Sequence, residues 1–233
     1  MIGEESSPIK ENVTSYDFST ILQKVFLMMT LGLAVTGITS FIVANNLNIL
    51  AFVLETWSIW LIAELALVII LSFNIKKMGA GTCTLTFFLY AIVNGLTLST
   101  IFLAYTYSSI ASTFFITAGM FGAAAIYGKV TNKDLTKFGS FLIMALFGLI
   151  IASVVNIFIQ NDMFSFIVSV IGILIFIGLT AYDVQKIKAI SEEVGTGDQD
   201  KFTQIVTMGA LTLYLDLINI FLKLLRLLGK RKN

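Results

Sequence analysis

A chain of 233 residues that is 57% hydrophobic and only 12% charged, with mean hydropathy +0.92, lacks the polar side chains needed to cover a water-facing surface; soluble domains carry about 25% charged residues. Fifteen basic and fourteen acidic residues leave a net charge of +1, which gives no basic field for a nucleic-acid backbone and excludes that partner class. The sequence is that of an integral membrane protein. Residues 1–20 carry Glu4, Glu5, Glu11 and Asp17 against Lys10, the reverse of a basic secretory leader, so an acidic cytoplasmic tail rather than a cleavable signal is expected. Apolar runs of about twenty residues, the helix length that crosses a bilayer, then follow at Leu22 to Ala44, Phe52 to Phe73, Cys83 to Tyr105, Ile110 to Val130, Phe138 to Ile159, Met163 to Asp183 and Gln204 to Leu228. The runs are continuous rather than alternating, which excludes a transmembrane barrel. One seven-helix membrane domain over 21–229 is predicted, closed by a basic tail at 230–233.

Lysines set the orientation. Lys76, Lys77, Lys129, Lys133, Lys137, Lys186, Lys188 and Lys201 flank the second, fourth and sixth connections, and the first, third and fifth contain no Lys or Arg. The positive-inside rule puts the even connections and the N-terminus in the cytoplasm, in a multi-pass protein of the cell (inner) membrane. Seven crossings then leave Lys223, Arg226, Lys230, Arg231 and Lys232 on the outer side; crossing is favoured over a re-entrant last helix. Gly32 and Gly37, Gly119 and Gly122, and Gly172 and Gly178 are expected to let helices approach closely, with Asn94, Asn156 and Asn219 as interhelical hydrogen-bonding groups. Cys83 reads as a small core residue. The loop from Ser191 to Lys201 is acidic, but it lacks the regularly spaced oxygen ligands and late Glu of a calcium loop and reads as solvated.

Glu64, Asp183 and Asp216 stand inside apolar runs, where a carboxylate costs roughly 2.5–3.5 kcal/mol on insertion scales and marks function by default. Glu64 is a candidate pore or structural group, while Asp183 and Asp216 lie on consecutive, antiparallel helices. Twelve residues from Gln204 to Asp216 correspond to about 18 Å of helix rise, so the two acids meet only if the sixth helix continues past Asp183 or the seventh begins elsewhere. Two carboxylates in a dry interior resist double ionisation and share a proton. With no His in the chain, such a pair is the natural source of a response to physiological pH. A cation relieves the same repulsion, and two carboxylates supply only part of the roughly six to eight oxygens calcium favours, so its binding would be weak and transient.

The segments Phe121 to Gly128, Thr131 to Thr136, Gly178 to Asp183 and Leu213 to Asn219 resemble the Bax inhibitor one family, also called TMBIM, especially its bacterial members. The resemblance runs from about Leu22 to the C-terminus. It implies seven helices with the C-terminal one central, and a pH-sensitive calcium leak governed by a di-aspartyl pair, here Asp183 and Asp216. Bacterial relatives often latch the first aspartate with an arginine near the end of the second helix. Asn74 stands there in this chain, leaving Lys76 and Lys77 as latch candidates without a guanidinium fork. Some relatives modulate a membrane-bound ATP-dependent protease through the N-terminal tail, which is the alternative function, and no cofactor is implied. Paired aspartates with a Tyr-Asp dipeptide also suggest an intramembrane aspartyl protease of presenilin type. Its Gly-x-Gly-Asp and Pro-Ala-Leu companions are missing, since Asp216 follows Leu213-Tyr214-Leu215 and the only proline is Pro8. A non-enzymatic role is therefore expected.

Overall fold

The computed structural model describes residues 17–193 and 199–232. Most of the acidic tail, and residues 194–198 of the acidic loop, lie outside the described residues. The helices are α1 (Phe18–Ala44), α2 (Leu47–Glu55), α3 (Trp57–Asn74) followed by a 3-10 turn (Ile75–Lys77), α4 (Ala80–Leu98), α5 (Ile101–Ala104), α6 (Tyr107–Val130), α7 (Thr136–Ile159), α8 (Asp162–Glu193) and α9 (Gln199–Leu228). Seven segments among the described residues are long and apolar enough to cross a membrane. The fold is an all-α seven-helix membrane bundle.

Several boundaries differ from the hydropathy pattern for identifiable reasons. The first helix already begins at Phe18, where Asp17 supplies the opening carbonyl to the Thr20 and Ile21 amides. The second apolar run is broken at Thr56. The Asn46 side chain caps α2 by accepting the Ile49 amide at 3.2 Å, and the Thr56 carbonyl restarts the chain as α3 by accepting the Ile59 amide at 2.9 Å. The sixth apolar run ends at Asp183, but α8 continues to Glu193. Val184 and Ile187 are buried beyond Asp183, and one apolar stripe keeps a helix packed after its outer face has turned polar.

The C-terminal helix is the centre. Two thirds of its membrane window is buried (67%), against 11% for α3 and 11% for α7. It packs on α1, α4, α6 and α8, whereas α3 rests mainly on α4 and α7 on α8. The six outer helices therefore do not share α9 equally.

The last helix does cross the bundle. Beyond it, the Lys230 amide donates to Ser109 Oγ at 2.7 Å, and the Thr106 amide donates to the Lys230 carbonyl at 3.1 Å. The Lys232 amide donates to the Ala104 carbonyl at 3.0 Å, and its ammonium donates to the Phe102 carbonyl at 2.7 Å, 4.9 Å from the Tyr107 ring centroid. The chain end thus docks on the third connection, opposite the lysine-rich connections. Carbonyls at a helix end and an aromatic face accommodate its positive charge there.

Small residues work at some predicted places and not at others. A Cβ on Gly32 would meet the Phe87 ring at 2.6 Å and one on Gly178 would meet Leu142 at 2.6 Å. Gly37, Gly119 and Gly122 face open space within 4 Å, so their expected close approach is not found. The tightest approaches between helices are Gly128 against the Ala181 main chain and Gly139 against the Tyr182 ring.

Between α6 and α7, the Asp134 carboxylate accepts the Thr136 amide at 2.8 Å and starts α7. Hydrogen bonds from Thr136 hold the Asp134 carboxyl below its ordinary value of 3.8. A depressed folded-state value means the stabilisation is present above the unfolded value and is lost as pH falls through the folded one. Asp134→Ala is expected to lower the unfolding temperature at pH 7 and to leave it unchanged well below pH 3.8. Thermal melts at both extremes check this.

A candidate di-aspartyl site

Position 183 is fixed by the residues around it on α8. Gly128 lets α6 sit on the Ala181 backbone, and Gly139 lets α7 sit on Tyr182. Two residues past Asp183, the Gln185 side chain accepts the Leu135 amide at 2.8 Å and donates to the Lys133 carbonyl at 2.8 Å. The α6–α7 connection is thereby bound to α8. Three neighbours hold this stretch of helix, and Thr180 and Asp183, one turn apart, share the face turned to α9.

Asp183 and Asp216 meet there. Their carboxyl groups lie within hydrogen-bonding reach of each other, and the Thr180 hydroxyl, which donates to the Phe176 carbonyl at 2.8 Å, lies beside Asp216. The condition set by the sequence is met by the extension of α8, which runs ten residues beyond Asp183 and so lies alongside the middle of α9. Asp183 is 9% exposed and Asp216 4%. One oxygen of Asp216, Oδ2, is buried with no hydrogen-bond partner. Two carboxylates that only accept cannot bond to each other without a proton or a cation between them. The arrangement is chemically a two-acid cage for one positive charge.

A cavity of about 760 Å³ opens beside the pair at the lysine-rich end of the bundle and is bordered by Asp183 but not Asp216. Lys76 lines it, as does Lys186, one turn beyond Asp183. Asn74 and Lys77 are exposed and do not border it. Of Asn74, Lys76 and Lys77, only Lys76 borders the cavity. Among the described residues no group of three or more His, Cys, Asp or Glu side chains converges as a metal cluster.

Glu64 belongs to a second buried cluster. Its carboxylate accepts hydrogen bonds from Asn94 Nδ2, from Thr97 Oγ1 at 3.0 Å and from the Tyr90 hydroxyl at 3.5 Å. Asn94 in turn accepts from the Tyr214 hydroxyl at 2.8 Å, and the Thr36 and Tyr214 hydroxyls are 2.7 Å apart. The network joins α3, α4, α9 and α1 and reaches α9 two residues before Asp216. Sequence reading identified Glu64 and Asn94 separately, but not their pairing or the roles of Tyr90, Thr97, Tyr214, Thr36 and Thr180. The i, i+3 and i, i+4 spacing of Tyr90, Asn94 and Thr97, which puts them on one face of α4, was the available signal. Glu64→Leu leaves the buried Asn94 amide without its acceptor, at a cost of about 1–3 kcal/mol, while Thr97 keeps the Asn94 carbonyl at 2.9 Å. A clear drop in thermal stability is expected for it, with a smaller drop for Glu64→Gln.

Comparison with known proteins places this architecture. The family model described as inhibitor of apoptosis-promoting Bax1 matches residues 19–233. The chain is 47% identical over 216 residues to the inner membrane protein YbhL of Escherichia coli strain K12, covering 91% of this chain and 92% of that one. It is 41% identical over 215 residues to a protein of Borreliella burgdorferi, covering 91% and 92% of the two chains, and 41% identical over 212 residues to one of Rickettsia prowazekii, covering 90% and 89%. With a family match over nearly its whole length and a relative 47% identical across it, the chain belongs to the Bax inhibitor family of membrane proteins.

Proposed function

We propose that the protein is a pH-sensitive cation leak, with calcium as the transported ion and the Asp183–Asp216 pair as its gate. The observation that carries this reading is the contact of the two carboxyls on the central helix and its neighbour, one of them bordering a cavity that opens at one end of the bundle. In the protonated state one hydrogen bond joins α8 to α9 and closes the site. Loss of that proton leaves two like charges in a low dielectric, which separates the helices or draws in a cation. With only two carboxylates and the Thr180 hydroxyl as side-chain oxygens, backbone and water complete the shell, so a calcium ion is held weakly enough to leave. No covalent chemistry is assigned to the pair. The lysine-rich connections face the cytoplasm with the N-terminus, and the membrane is the cell's inner membrane, as for the Escherichia coli relative, an inner membrane protein.

The test is cation flux into liposomes holding purified protein at several pH values, with each aspartate replaced by Asn. A leak that neither varies with pH nor responds to either substitution would favour the regulatory alternative, modulation of a membrane-bound ATP-dependent protease through the acidic tail.

A further inference from the structure

We propose that the cavity beside Asp183 is a binding site for the headgroup of an anionic phospholipid. Its walls are apolar, formed by Phe73, Ile187 and Met208 among others, and its charged lining consists of Lys76, Lys186 and Lys201 against the single carboxylate of Asp183. A resident cation is disfavoured by the ammonium groups of Lys76 and Lys186. A small inorganic anion satisfies the ammonium groups and leaves the apolar walls wet. An amphiphile with a phosphate at one end and acyl chain at the other matches both surfaces, the general chemistry of basic pockets between transmembrane helices.

The position of the cavity favours the same occupant. It lies between the end of α3, α8 and the start of α9, and Phe73 on its border is 80% exposed on the outer surface of the bundle. A lipid can therefore enter sideways from the bilayer, with its phosphate at the level where Lys76 and Lys186 reach the interface. The α3 side of the cavity is also the one with least burial in the bundle, so this wall yields most easily to an entering chain. For the leak, which rests on the reading above, the consequence is electrostatic. A bound phosphate neutralises the ammonium groups that repel a cation approaching Asp183.

Binding is tested separately from flux. Purified protein in detergent is titrated with phosphatidylglycerol, phosphatidylcholine or inorganic phosphate and read by native mass spectrometry and thermal stability. Phosphatidylglycerol is expected to be retained and to stabilise the protein, and the other two are not. At about 1 kcal/mol per lysine near a membrane surface, the double variant Lys76→Gln, Lys186→Gln should bind phosphatidylglycerol about 25-fold more weakly. Lys137→Gln, away from the cavity, should bind as the parent does. Equal retention of both lipids, an unchanged preference in the double variant, or equal stabilisation by inorganic phosphate overturns the proposal. Circular dichroism of each variant establishes that a loss of binding is not a loss of fold. Lipid preference without cation flux in liposomes would leave this site standing and remove the leak, and flux without lipid preference would do the opposite.

Discussion

Asp183→Asn and Asp216→Asn are each expected to hold the cation leak low at every pH and to remove its pH dependence. An Asn side chain has the shape of a protonated Asp, and it donates to the remaining carboxylate without ever releasing a proton. The α8–α9 contact then stays closed where the parent protein loosens. The substitution also removes one of the two carboxylates a passing ion meets, and each 1.4 kcal/mol of lost binding is a factor of ten, so a fall of about tenfold or more is expected under conditions where the parent leaks. The two variants should differ in one respect. Asp183 borders the cavity and Asp216 lies behind it, so with anionic lipid present to neutralise the neighbouring lysines Asp216→Asn leaves a charge where ions enter and should retain weak cation binding, whereas Asp183→Asn should not. Flux in proteoliposomes over a pH series measures the first effect and calcium titration of the purified protein the second. If either variant leaks as the parent does, with the same pH profile, the pair is no gate.

Gly128→Ala should unfold or strongly destabilise the protein, and Gly119→Ala, on the same helix, should not. A methyl at 128 runs into the Ala181 main chain, which cannot rotate away as a side chain would. Overpacking a well-filled interior costs typically about 1–3 kcal/mol, and an obstruction made of backbone belongs at the upper end or beyond it. At Gly119 nothing lies within 4 Å of the added carbon, so the substitution gains up to about 1 kcal/mol of helix propensity. Thermal unfolding in detergent, with folded yield as a second readout, distinguishes the two. Similar behaviour of both variants would mean that α6 and α8 are not packed as described. Because Ala181 is two residues from Asp183, a partly folded Gly128→Ala protein should also show a disturbed pH response.

Much of the fold was legible because lipid imposes a length and an apolarity on every crossing helix, and seven runs met both requirements. The limits of that signal appear at particular residues. Hydropathy reports only the face turned to lipid, so it missed the last turns of α8, where Val184 and Ile187 continue a buried stripe under a polar exterior. It also merged α2 with α3, because the break at Thr56 comes from capping bonds rather than from a change in polarity. For the site, the cost of a buried charge marked Asp183, Asp216 and Glu64 and paired the two aspartates, but it did not identify Thr180 beside them or the partners of Glu64. Thr180 is an ordinary helix residue in the sequence and becomes relevant only because it lies a turn before Asp183, and Tyr214 joins the Glu64 cluster only through the packing of α9 on α4. Asn74, at the place where bacterial relatives often carry the latching arginine, is exposed and does not border the cavity, whereas Lys76 does.

The docked end of the chain restricts how the centre of the protein can move. Residues 230–232 are hydrogen-bonded to Ala104, Thr106 and Ser109, so α9 is moored at the end far from the lysine-rich connections. A piston stroke along the membrane normal would tear these bonds, whereas a tilt about the moored end would leave them intact and swing Asp216 sideways. If the pair acts as the proposed gate, its opening would be a pivot rather than a slide, and a cargo attached to the C-terminus would hang from the part of the molecule that stays still.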